Sequence, residues 1–268
     1  MKIKKITDKN ILETHFRKNT PLNIYLLGDL DDFFFEYTEW FGLFESEGGE
    51  LIQVALLYKG SELPVLLAFC GNEIESEQMK YLIENIKADL PDEFYAHLSP
   101  GLKDVLKADH EYEPGGRYLK MYLPEKSKDK LLKIDGDSNI RRLKVSELDD
   151  IQEFYKKSYP DNWFDKRMLE TGKYFGYFDE EILVGISGIH VYSKEYKVAA
   201  LGNITTDSQY RGRSICTKVT SVLCTDLFET VDVIGLNVSE SNAAAIRCYE
   251  KIGFKVYAEF EECMFRRL

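Results

Sequence analysis

The alternation of hydrophobic and polar positions is clearest in the second half of the chain, where it predicts a run of helices and strands. IRRLKV is typical of a strand, and a helix is predicted from Ser146 to about Ser158, with Ser146 as N-cap and Asp149 as its acidic partner. The predicted elements that follow are, in order, a short helix around Phe164–Glu170, the strands KYFGYF, ILVGISGIHVYS and KVAALGNITT, a helix from about Ile215 to Glu229, the strand VDVIGLNV, a helix from Ser241 to Lys251 and the long strand FKVYAEFEECMF.

The connections between these elements predict how the strands pair. Polar turns separate the three central strands, and their content of Val, Ile, Tyr and Phe favours an antiparallel meander. The helix that begins near Ile215 lies between two strands, and such a crossover makes those strands parallel. Gly253 is expected to end the last helix by adopting the left-handed C-cap conformation.

The first half shows nearly the same order of elements. This similarity predicts a second copy of the same architecture, although chance alternation of helices and strands would give a comparable order. The predicted elements are KIKKI, a helix around Asn10–Arg17, EWFGLFES, ELIQVALLY, PVLLAF, a helix from about Ser76 to Ile86, EFYAHLS, a short helix near Leu102–Ala108 and YLKMYLP.

A change in composition separates the two halves. The segment PEKSKDKLLKIDGDSN is polar and charged and has little to bury, which is typical of a linker. We therefore predict an N-terminal α/β domain at residues 1–125, a linker at 126–138 and a second domain at 139–268. The predicted fold class is α/β (α+β), with a mixed central sheet flanked by helices in two similar domains in tandem.

Composition and charge narrow the possible partners. The 268 residues are 44% hydrophobic and 13% aromatic, which is ample material for a packed core. The formal net charge of -11 argues against nucleic acid as the main partner, because nothing would neutralise the phosphates of a duplex. An acidic surface instead attracts cations, including amines.

The cysteines and the apolar runs argue against several further kinds of protein and site. The five cysteines are odd in number and show no CxxC spacing, so neither a disulfide framework nor a zinc site is expected, and we predict no metal. The N-terminus MKIKKITDKN is basic but no apolar signal region follows it, and no apolar run is long enough to span a bilayer. We predict a cytoplasmic protein without a membrane partner.

The segment TTDSQYRGRSICTKVTSVLC carries the strongest chemical signal. A predicted strand ends, a polar turn follows, and a short stretch with Arg211, Gly212 and Arg213 leads directly into a helix. The first N–H groups of a helix have no intrahelical partner, and with the helix dipole they favour phosphate oxygens. The segment predicts an anion site, and an ordinary strand-to-helix turn is the alternative.

A second signal lies in the helix SESNAAAIRCYEKIGF. Asn242 and Tyr249 are seven residues apart and therefore lie on nearly the same helix face. A face with an amide at one end and a phenol at the other is unusual for core packing. For Tyr249 alone, a packed aromatic with a hydrogen-bonded hydroxyl is the alternative.

Together these segments resemble the GNAT superfamily of acyl-CoA-dependent N-acetyltransferases. The resemblance spans roughly Asn139 to Phe265 and is carried by LGNITTDSQYRGR, IGLNV and SNAAAIRCYEKIGF. The family loop Arg/Gln-x-x-Gly-x-Gly/Ala falls on Arg211 to Cys216, so Ser214 and Cys216 depart from its two small positions. The resemblance assigns cofactor binding to Ile204, Thr206, Arg211, Gly212, Arg213, Ser214, Ile215, Cys216, Thr217 and Asn242.

The resemblance also implies a mechanism. A neutral amine attacks the thioester carbonyl of acetyl-CoA directly, and Tyr249 protonates the departing CoA thiolate. The base that accepts the amine's proton is left open among His190, Asn203 acting through water, and Glu170. Cys216 and Cys248 are not expected to carry an acyl group, because no His/Asp pair is placed to activate them.

The predicted function is therefore transfer of an acetyl group to a small-molecule amine or a peptide amino group. A non-catalytic acyl-CoA-binding sensor or interaction module is the alternative, and transfer to a hydroxyl or from a longer acyl-CoA would use the same residues. The oligomeric state and the acceptor are left open.

The first half lacks a comparable loop. At the equivalent place, AFCGNEIESEQMKYL has no arginine and carries acidic residues that would repel a pyrophosphate, so this half is expected to have lost CoA binding and to shape the substrate cleft or the packing of the halves. YLLGDLDDFFFEYTEWFG is interpreted as a solvated acidic loop beside core aromatics, with a wall for a cationic substrate as the alternative.

Overall fold

The structure, a computed structural model, describes residues 1–131 and 138–268. Two compact units share the chain, and neither is continuous along it. Unit 1 consists of Met1–Lys120, Val238–Ser241 and Val256–Leu268, and unit 2 consists of Met121–Asn237 and Asn242–Lys255.

Unit 1 is built on a mixed sheet whose strands follow the order β1-β2-β3-β4-β5-β12-β6. All the pairs from β1 to β4, and β5 with β12, are antiparallel, whereas β4 and β5 are parallel. Its elements are β1 (Lys2–Ile6), α1 (Lys9–Arg17), α2 (Ile24–Gly28), α3 (Asp32–Phe35), β2 (Thr38–Phe44), β3 (Leu51–Tyr58), β4 (Val65–Ala68), α4 (Glu73–Ile86), β5 (Glu93–Leu98), α5 (Lys103–Leu106), β6 (His110–Pro124) and β12 (Lys255–Arg267). The end of β6 from Met121 and the first residue of β12, Lys255, are assigned to unit 2.

Helices cover both faces of the sheet in unit 1. Because side chains alternate along a strand, Phe41 and Trp40 of β2 point to opposite faces. Phe41 packs with Met79 and Ile83 of α4 in one buried cluster. The rings of Trp40 and Phe16 of α1 lie 5.5 Å apart on the other face.

In unit 2 the strands β11, β10, β9, β8 and β7 are neighbours in that order, again with mixed pairing. The β7–β8–β9–β10 pairs are antiparallel and β10 pairs with β11 in parallel. The elements are β7 (Ile140–Arg142), α6 (Leu148–Ser158), β8 (Phe175–Asp179), β9 (Ile182–Ser193), β10 (Val198–Thr206), α7 (Ile215–Leu227), β11 (Val233–Ser239) and α8 (Ala243–Ile252).

The predicted fold class is confirmed, with its central mixed sheet and flanking helices. The antiparallel meander and the parallel crossover around α7 are also as predicted. Gly253 ends α8 at φ 114° in the left-handed region. The predicted short helix near residue 164 begins slightly later, as a 3-10 helix at Lys166–Thr171.

The predicted N-cap at Ser146 is wrong. A 3-10 turn at Val145–Glu147 precedes α6, and the Glu147 carboxylate accepts a hydrogen bond from the backbone N–H of Lys144 at 2.8 Å. The side chain of Glu147 thus bonds back to the backbone three residues earlier, and this bond takes the place of the cap expected from Ser146. The helix therefore begins at Leu148, two residues later than predicted.

The segment that follows α1 in unit 1 differs from its interpretation as a solvated acidic loop. It forms α2 and α3, and Leu26 and Leu27 of α2 are buried. Asp29, directly after α2, is only 7% exposed. The interpretation is therefore wrong for Asp29, although Asp32 is exposed as expected.

Strand β12 belongs to unit 1 from Val256 onward, although it follows the elements of unit 2 in the sequence. The sequence places FKVYAEFEECMF with the C-terminal half, but β12 pairs with β5 of unit 1, from Glu261↔Leu98 to Arg266↔Glu93. The predicted ranges 1–125 and 139–268 stay a proposal for the domain organisation. Part of the predicted linker forms a 3-10 helix at Glu125–Lys130, and its residues 132–137 lie outside the described residues.

Within residues 1–131 and 138–268, no helix is long and apolar enough to cross a bilayer. Over the same ranges, no group of three or more His, Cys, Asp and Glu side chains is arranged to hold a metal ion.

Candidate functional site

Strands β10 and β11 separate before they end. Their parallel pairing runs from Val198↔Val233 to Leu201↔Leu236 and stops there, although β10 continues to Thr206. The backbone of β10 beyond Leu201 therefore has one edge that is not paired with β11. Backbone N–H and C=O groups at such an edge are available to a ligand.

A β-bulge lies in the same part of β10. Gly202 pairs with Gly188 and Thr205 with Ile186, so two residues of β10, Asn203 and Ile204, stand opposite a single residue of β9. Asn203 has φ 55°, in the left-handed region that asparagine tolerates better than most residues. The bulge changes the direction of the backbone at Ile204, a residue that the sequence assigns to the cofactor.

Two buried tyrosines hold the bulge in place. The Tyr155 hydroxyl of α6 donates to the backbone carbonyl of Asn203 at 2.7 Å, and the Asn203 side-chain amide donates to the Tyr174 hydroxyl at 3.0 Å. The Tyr174 hydroxyl in turn donates to the carbonyl of Ile189 at 2.8 Å. Burial raises the pKa of both tyrosines, so they stay neutral donors. Neither was singled out in the sequence, because an isolated aromatic on a helix or strand looks like core.

His190 completes this network. Its Nε2 lies 3.3 Å from Asn203 Oδ1. Since the Asn203 amide nitrogen donates to Tyr174, its oxygen faces the imidazole, so Nε2 carries the proton and Nδ1 keeps a lone pair. Burial lowers the pKa of His190, against the opposing effect of the bond to Asn203. His190 is therefore neutral at pH 7 and can accept a proton.

The other two candidate bases differ from His190 in their surroundings. Asn203 is 2% exposed and its amide is engaged on both sides, by His190 and by Tyr174, which leaves little room for a bound water. Glu170 is exposed near the end of a 3-10 helix. Of the three candidates, the structure brings His190 and Asn203 together at the bulge and leaves Glu170 outside their hydrogen-bond network.

A buried aspartate anchors the loop that follows β10. The Asp207 N–H donates to the carbonyl of Val184 at 2.9 Å, and its carboxylate accepts from the N–H of Gln209 at 2.9 Å and from Lys157 Nζ at 2.6 Å. The bond to Lys157 is the main cause that lowers the pKa of Asp207, which keeps the carboxylate charged. An Asp whose carboxylate accepts from the backbone N–H two residues later is typical of a turn, and this signal could have been recognised in the sequence.

The loop itself is exposed and contains two left-handed residues. Gly212 has φ +79° and Ser214 has φ 60°. Side chains at the four positions from Arg211 to Ser214 are exposed, and no atom lies within 4 Å of the place where a Cβ of Gly212 would stand. The backbone is therefore open to close approach by a ligand.

The first turn of α7 lacks a side-chain cap. Ser214 occupies the N-cap position but makes no capping hydrogen bond, and the first bond of the helix joins the Lys218 N–H to the Ser214 carbonyl at 3.0 Å. Among the described residues, the N–H groups of Ile215, Cys216 and Thr217 therefore have no partner. Such groups form an anion site at a helix N-terminus.

Two guanidinium groups stand beside this turn. Arg211 Nε donates to the carbonyl of Thr206 at 3.4 Å, and the Arg213 guanidinium lies 4.9 Å from the centre of the Tyr210 ring. The Thr206 hydroxyl is buried and has no hydrogen-bond partner within the described ranges. Positive charge, free N–H groups and an orphaned hydroxyl thus occur together at the end of β10.

Helix α8 contacts α7 directly at this turn. Cys248 Sγ lies 3.1 Å from Cys216 Sγ and 3.3 Å from Thr217 Oγ1. The next residue, Tyr249, is buried and packs edge-to-face on Phe254, with the ring centres 5.9 Å apart. The structure therefore brings the two motifs of the sequence side by side, and the role of Tyr249 as an acid stays a prediction.

Asn242 has a local structural role in addition to the one expected from the sequence. Its Oδ1 accepts a hydrogen bond from the Ala245 N–H at 3.1 Å, so the side chain is the N-cap of α8. Asn242 is also exposed. Contact with the cofactor stays a prediction for this residue.

In unit 1, the helix at the equivalent position is α4, and side chains cap its N-terminus. Asn72 Oδ1 accepts from the Glu75 N–H at 3.0 Å, and the Glu75 carboxylate accepts from the Gly71 N–H at 2.6 Å. The third N–H of this helix is thus bound by the Asn72 side chain, whereas the third N–H of α7 has no partner among the described residues, and the Glu75 carboxylate places negative charge beside the turn. This arrangement is consistent with the expectation that the acidic segment disfavours a pyrophosphate.

Comparison with known protein families gives one match, which lies in the second half of the chain. The sequence profile of the Acetyltransferase (GNAT) family matches residues 140–254. That range contains the bulge of β10, the loop, α7 and all of α8. A search among curated protein sequences found none that matches the chain.

Solved structures with the same fold cover nearly the whole chain. A Drosophila protein is 12% identical, with a TM-score of 0.72 and coverage of 98% of each chain. A tandem GNAT protein from the clavulanic acid biosynthesis pathway is 12% identical, with a TM-score of 0.58 and 98% coverage of each chain. A GNAT-family acetyltransferase from Colwellia psychrerythraea is 16% identical, with a TM-score of 0.56 and 100% coverage of each chain. At these identities the likeness concerns the fold alone. The chain therefore contains a domain of the GNAT acetyltransferase family at residues 140–254, within a fold that it shares with a tandem GNAT protein.

Proposed function

We propose that this protein is an acetyl-CoA-dependent N-acetyltransferase whose acceptor is a primary amine, either a small molecule or a peptide amino group. The observation that carries the proposal is the uncapped first turn of α7, which follows a loop with two left-handed residues and adjoins the unpaired edge of β10. These features lie in unit 2, inside the range of the family match. We propose the cytoplasm as its location.

The cofactor would lie along the end of β10 and across the loop. Its pyrophosphate would accept hydrogen bonds from the N–H groups of Ile215, Cys216 and Thr217, with Arg211 and Arg213 adding charge. Its pantetheine arm would run along the unpaired backbone from Ile204 to Thr206. The departures from the family pattern at Ser214 and Cys216 are compatible with this position. Ser214 already adopts the left-handed conformation that a glycine would favour, and the contacts use backbone N–H groups.

The reaction would proceed by direct attack of the amine on the thioester, followed by loss of the CoA thiolate. The amine nitrogen attacks the thioester carbonyl carbon, and a backbone N–H at the bulge stabilises the oxyanion that develops. Nδ1 of His190 takes the proton that the amine loses. The C–S bond then breaks, and Tyr249 donates its proton to the CoA thiolate. No covalent enzyme intermediate forms.

The competing proposal is a non-catalytic acyl-CoA sensor. It is supported by the two departures in the loop and by the absence of a carboxylate from the middle of β10. A sensor would bind acetyl-CoA but release no CoA with any of a panel of amines. An enzyme that acylates hydroxyls or uses longer acyl chains would instead turn over with those substrates.

Replacing Arg211 with glutamate is expected to weaken CoA binding by about tenfold or more, since roughly 1.4 kcal/mol of lost electrostatic attraction corresponds to tenfold. Isothermal titration with CoA measures the affinity. The matched control is Lys194→Glu, the same change of charge at an exposed residue in the turn before β10. Equal affinities for the two variants would contradict the position of the pyrophosphate.

The rate of acetyl transfer is expected to fall below the pH at which His190 becomes protonated. Because burial lowers the pKa of His190 from its ordinary value of 6.5 in the free protein, the acidic limb of the kcat/KM profile is expected below pH 6.5. His190→Gln should remove this limb and lower kcat by about 100-fold, in the usual range for loss of a general base. An unchanged limb in the variant would assign the titration to another group.

A further inference from the structure

Two cysteine thiols that the proposed mechanism does not use meet at the contact between α7 and α8. The sulfurs of Cys216 and Cys248 are 3.1 Å apart, although the residues are separated by 32 positions in the chain. Both thiols are free. Cys216 is the second residue of α7, in the turn that carries the unpartnered N–H groups.

The surroundings of the pair favour reaction with an oxidant. Cys216 is half-buried and Cys248 is 9% exposed, so a small oxidant such as a peroxide can reach the pair. The pKa of Cys248 is lowered to about 7, first by its bond to Cys216 and then by the Thr217 hydroxyl and the charge of Lys251. The pKa of Cys216 is raised because it shares its hydrogen with Cys248. At neutral pH Cys248 is therefore partly in the thiolate form, which is the form that reacts.

The distance between the two sulfurs is close to what a covalent bond requires. A disulfide has an S–S length of about 2.05 Å, so the two sulfurs must approach by roughly 1 Å. The remaining thiols differ from this pair. Cys224, on the same helix, is fully buried and burial raises its pKa, and Cys70 and Cys263 lie in unit 1.

We propose that Cys216 and Cys248 form a redox modification site, at which a peroxide converts the two thiols into a disulfide that ties the first turn of α7 to α8. The geometry of the two sulfurs carries this assignment. A second consequence, a change in CoA affinity, rests on the proposed function and is tested separately.

The reaction balances with hydrogen peroxide as the oxidant. The Cys248 thiolate attacks one peroxide oxygen, the O–O bond breaks, and hydroxide leaves to form a sulfenic acid. The Cys216 sulfur then attacks the sulfenic sulfur, the S–S bond forms, and the hydroxyl leaves as water with the thiol's proton. Two thiols and one peroxide yield one disulfide and two waters, so sulfur is oxidised and the peroxide is reduced.

The disulfide would change the turn that the proposed function uses. Drawing Cys216 toward α8 moves the backbone N–H groups of Cys216 and Thr217, which lie in a turn without a side-chain cap. An anion site depends on the direction of these groups. We therefore expect the oxidised protein to bind CoA about tenfold more weakly than the reduced protein, and reduction with dithiothreitol to restore the affinity.

Mass spectrometry tests the modification itself. The full-length protein is treated with hydrogen peroxide, its remaining thiols are alkylated, and it is digested with trypsin. Cleavage after arginine and lysine releases SICTK, with Cys216, and CYEK, with Cys248. We expect these two peptides to appear joined, with the loss of two hydrogens, while Cys70, Cys224 and Cys263 remain alkylated.

Single variants provide the controls. Cys216→Ser and Cys248→Ser should each abolish the joined peptide, and Cys224→Ser should leave it unchanged. If SICTK and CYEK are recovered unlinked, whether alkylated or oxidised to sulfinic acids, the proposal is wrong. A cross-link that involves Cys224 would overturn it as well. Cys248→Ala provides a second test if the serine variant does not fold.

Calorimetry with CoA separates the two proposals. If the reduced protein binds CoA and the cross-linked protein binds it equally well, the inferred effect of the disulfide on the turn is wrong. If the reduced protein does not bind CoA, the proposed function fails, and the joined peptide still decides whether the disulfide forms. Cys248→Ser is expected to keep its CoA affinity after exposure to peroxide.

Discussion

Replacing Lys120 with methionine is expected to raise the free energy of unfolding by about 1–4 kcal/mol, the range found when a buried ion pair is replaced by apolar residues of similar volume. The pKa of the neighbouring Asp29 is raised to about 8, so at neutral pH the replacement leaves no unpaired charge behind. Lys120 is 3% exposed, and its Nζ has no hydrogen-bond partner within the described ranges. Nζ lies 3.8 Å from the centre of the Phe69 ring. Methionine has the same unbranched shape and would keep the packing without a charge to desolvate.

The gain should depend on pH in a defined way. Burial lowers the pKa of Lys120 from 10.5 to about 7, with an opposing contribution from Asp29. Below about pH 7 Lys120 is protonated in both the folded and the unfolded chain, so the full cost of burying its charge opposes folding and does not change with pH. Between about pH 7 and 10.5 only the unfolded chain holds it, so the stability of the native sequence rises with pH. The advantage of the variant should therefore shrink across that window.

Asp29 titrates in the opposite direction. Burial raises its pKa from 3.8 to about 8, so its stabilising contribution is complete below 3.8 and is lost as the pH rises through 8. Asp29 is present in both the native sequence and the Lys120→Met variant. Because the charge of Lys120 lowers the pKa of Asp29, its removal raises that pKa further, so the difference between the two proteins reports on the pair.

Urea unfolding at about pH 7 and about pH 9.5 measures both effects. Lys126→Met, a change at an exposed lysine, is the matched control and should alter stability by less than about 0.5 kcal/mol. A loss of stability in Lys120→Met would mean that the buried charge contributes more than the lysine's desolvation costs.

Replacing Tyr249 with phenylalanine is expected to lower kcat for acetyl transfer by about 100-fold or more, the usual effect of removing a general acid. The ring is buried against Phe254, and phenylalanine would keep that packing. CoA affinity should change little, since only the hydroxyl is lost. Release of CoA thiol with an amine acceptor measures the rate, and titration with CoA measures the binding.

Tyr192→Phe is the matched control for Tyr249→Phe. The Tyr192 hydroxyl donates to Thr230 Oγ1 at 2.9 Å, and Tyr192 lies on β9, where it pairs with Ala199 near the start of β10. Its removal should leave kcat within about twofold, because surface-proximal changes away from the site have small effects. If both variants keep full activity, Tyr249 is a packing residue and another group protonates the thiolate.

The regular elements were largely predictable from local patterns. The strand ILVGISGIHVYS was predicted at 182–193, and β9 spans Ile182–Ser193. Alternation, turn residues and the C-cap glycine all act within a few positions, so one sequence is enough to recognise them. The short helices α2 and α3 were missed because five and four residues are too few to show a helical period.

The candidate site was predictable in part. The loop and the two motifs were recognisable because the chemistry of Arg211, Gly212 and Tyr249 is encoded at fixed spacing. The hydrogen bonds of Asn203 with Tyr155 and Tyr174 join three separate elements, and no local pattern encodes such contacts. The contact between Cys216 and Cys248 likewise depends on how α7 packs on α8. The partner of β12 is more than 150 positions away, beyond the reach of any local pattern.

The position of β12 has a consequence for how the chain folds during synthesis. β5 is complete at Leu98, but the strand that pairs with its free edge begins only at Lys255. A ribosome therefore releases the 13-residue strand β12 long after β5, and until then unit 1 carries an open strand edge that can pair wrongly. The sheet of unit 1 therefore stays incomplete until β12 has been synthesised. A fragment that ends in the segment between the two halves would lack an internal strand of its own sheet.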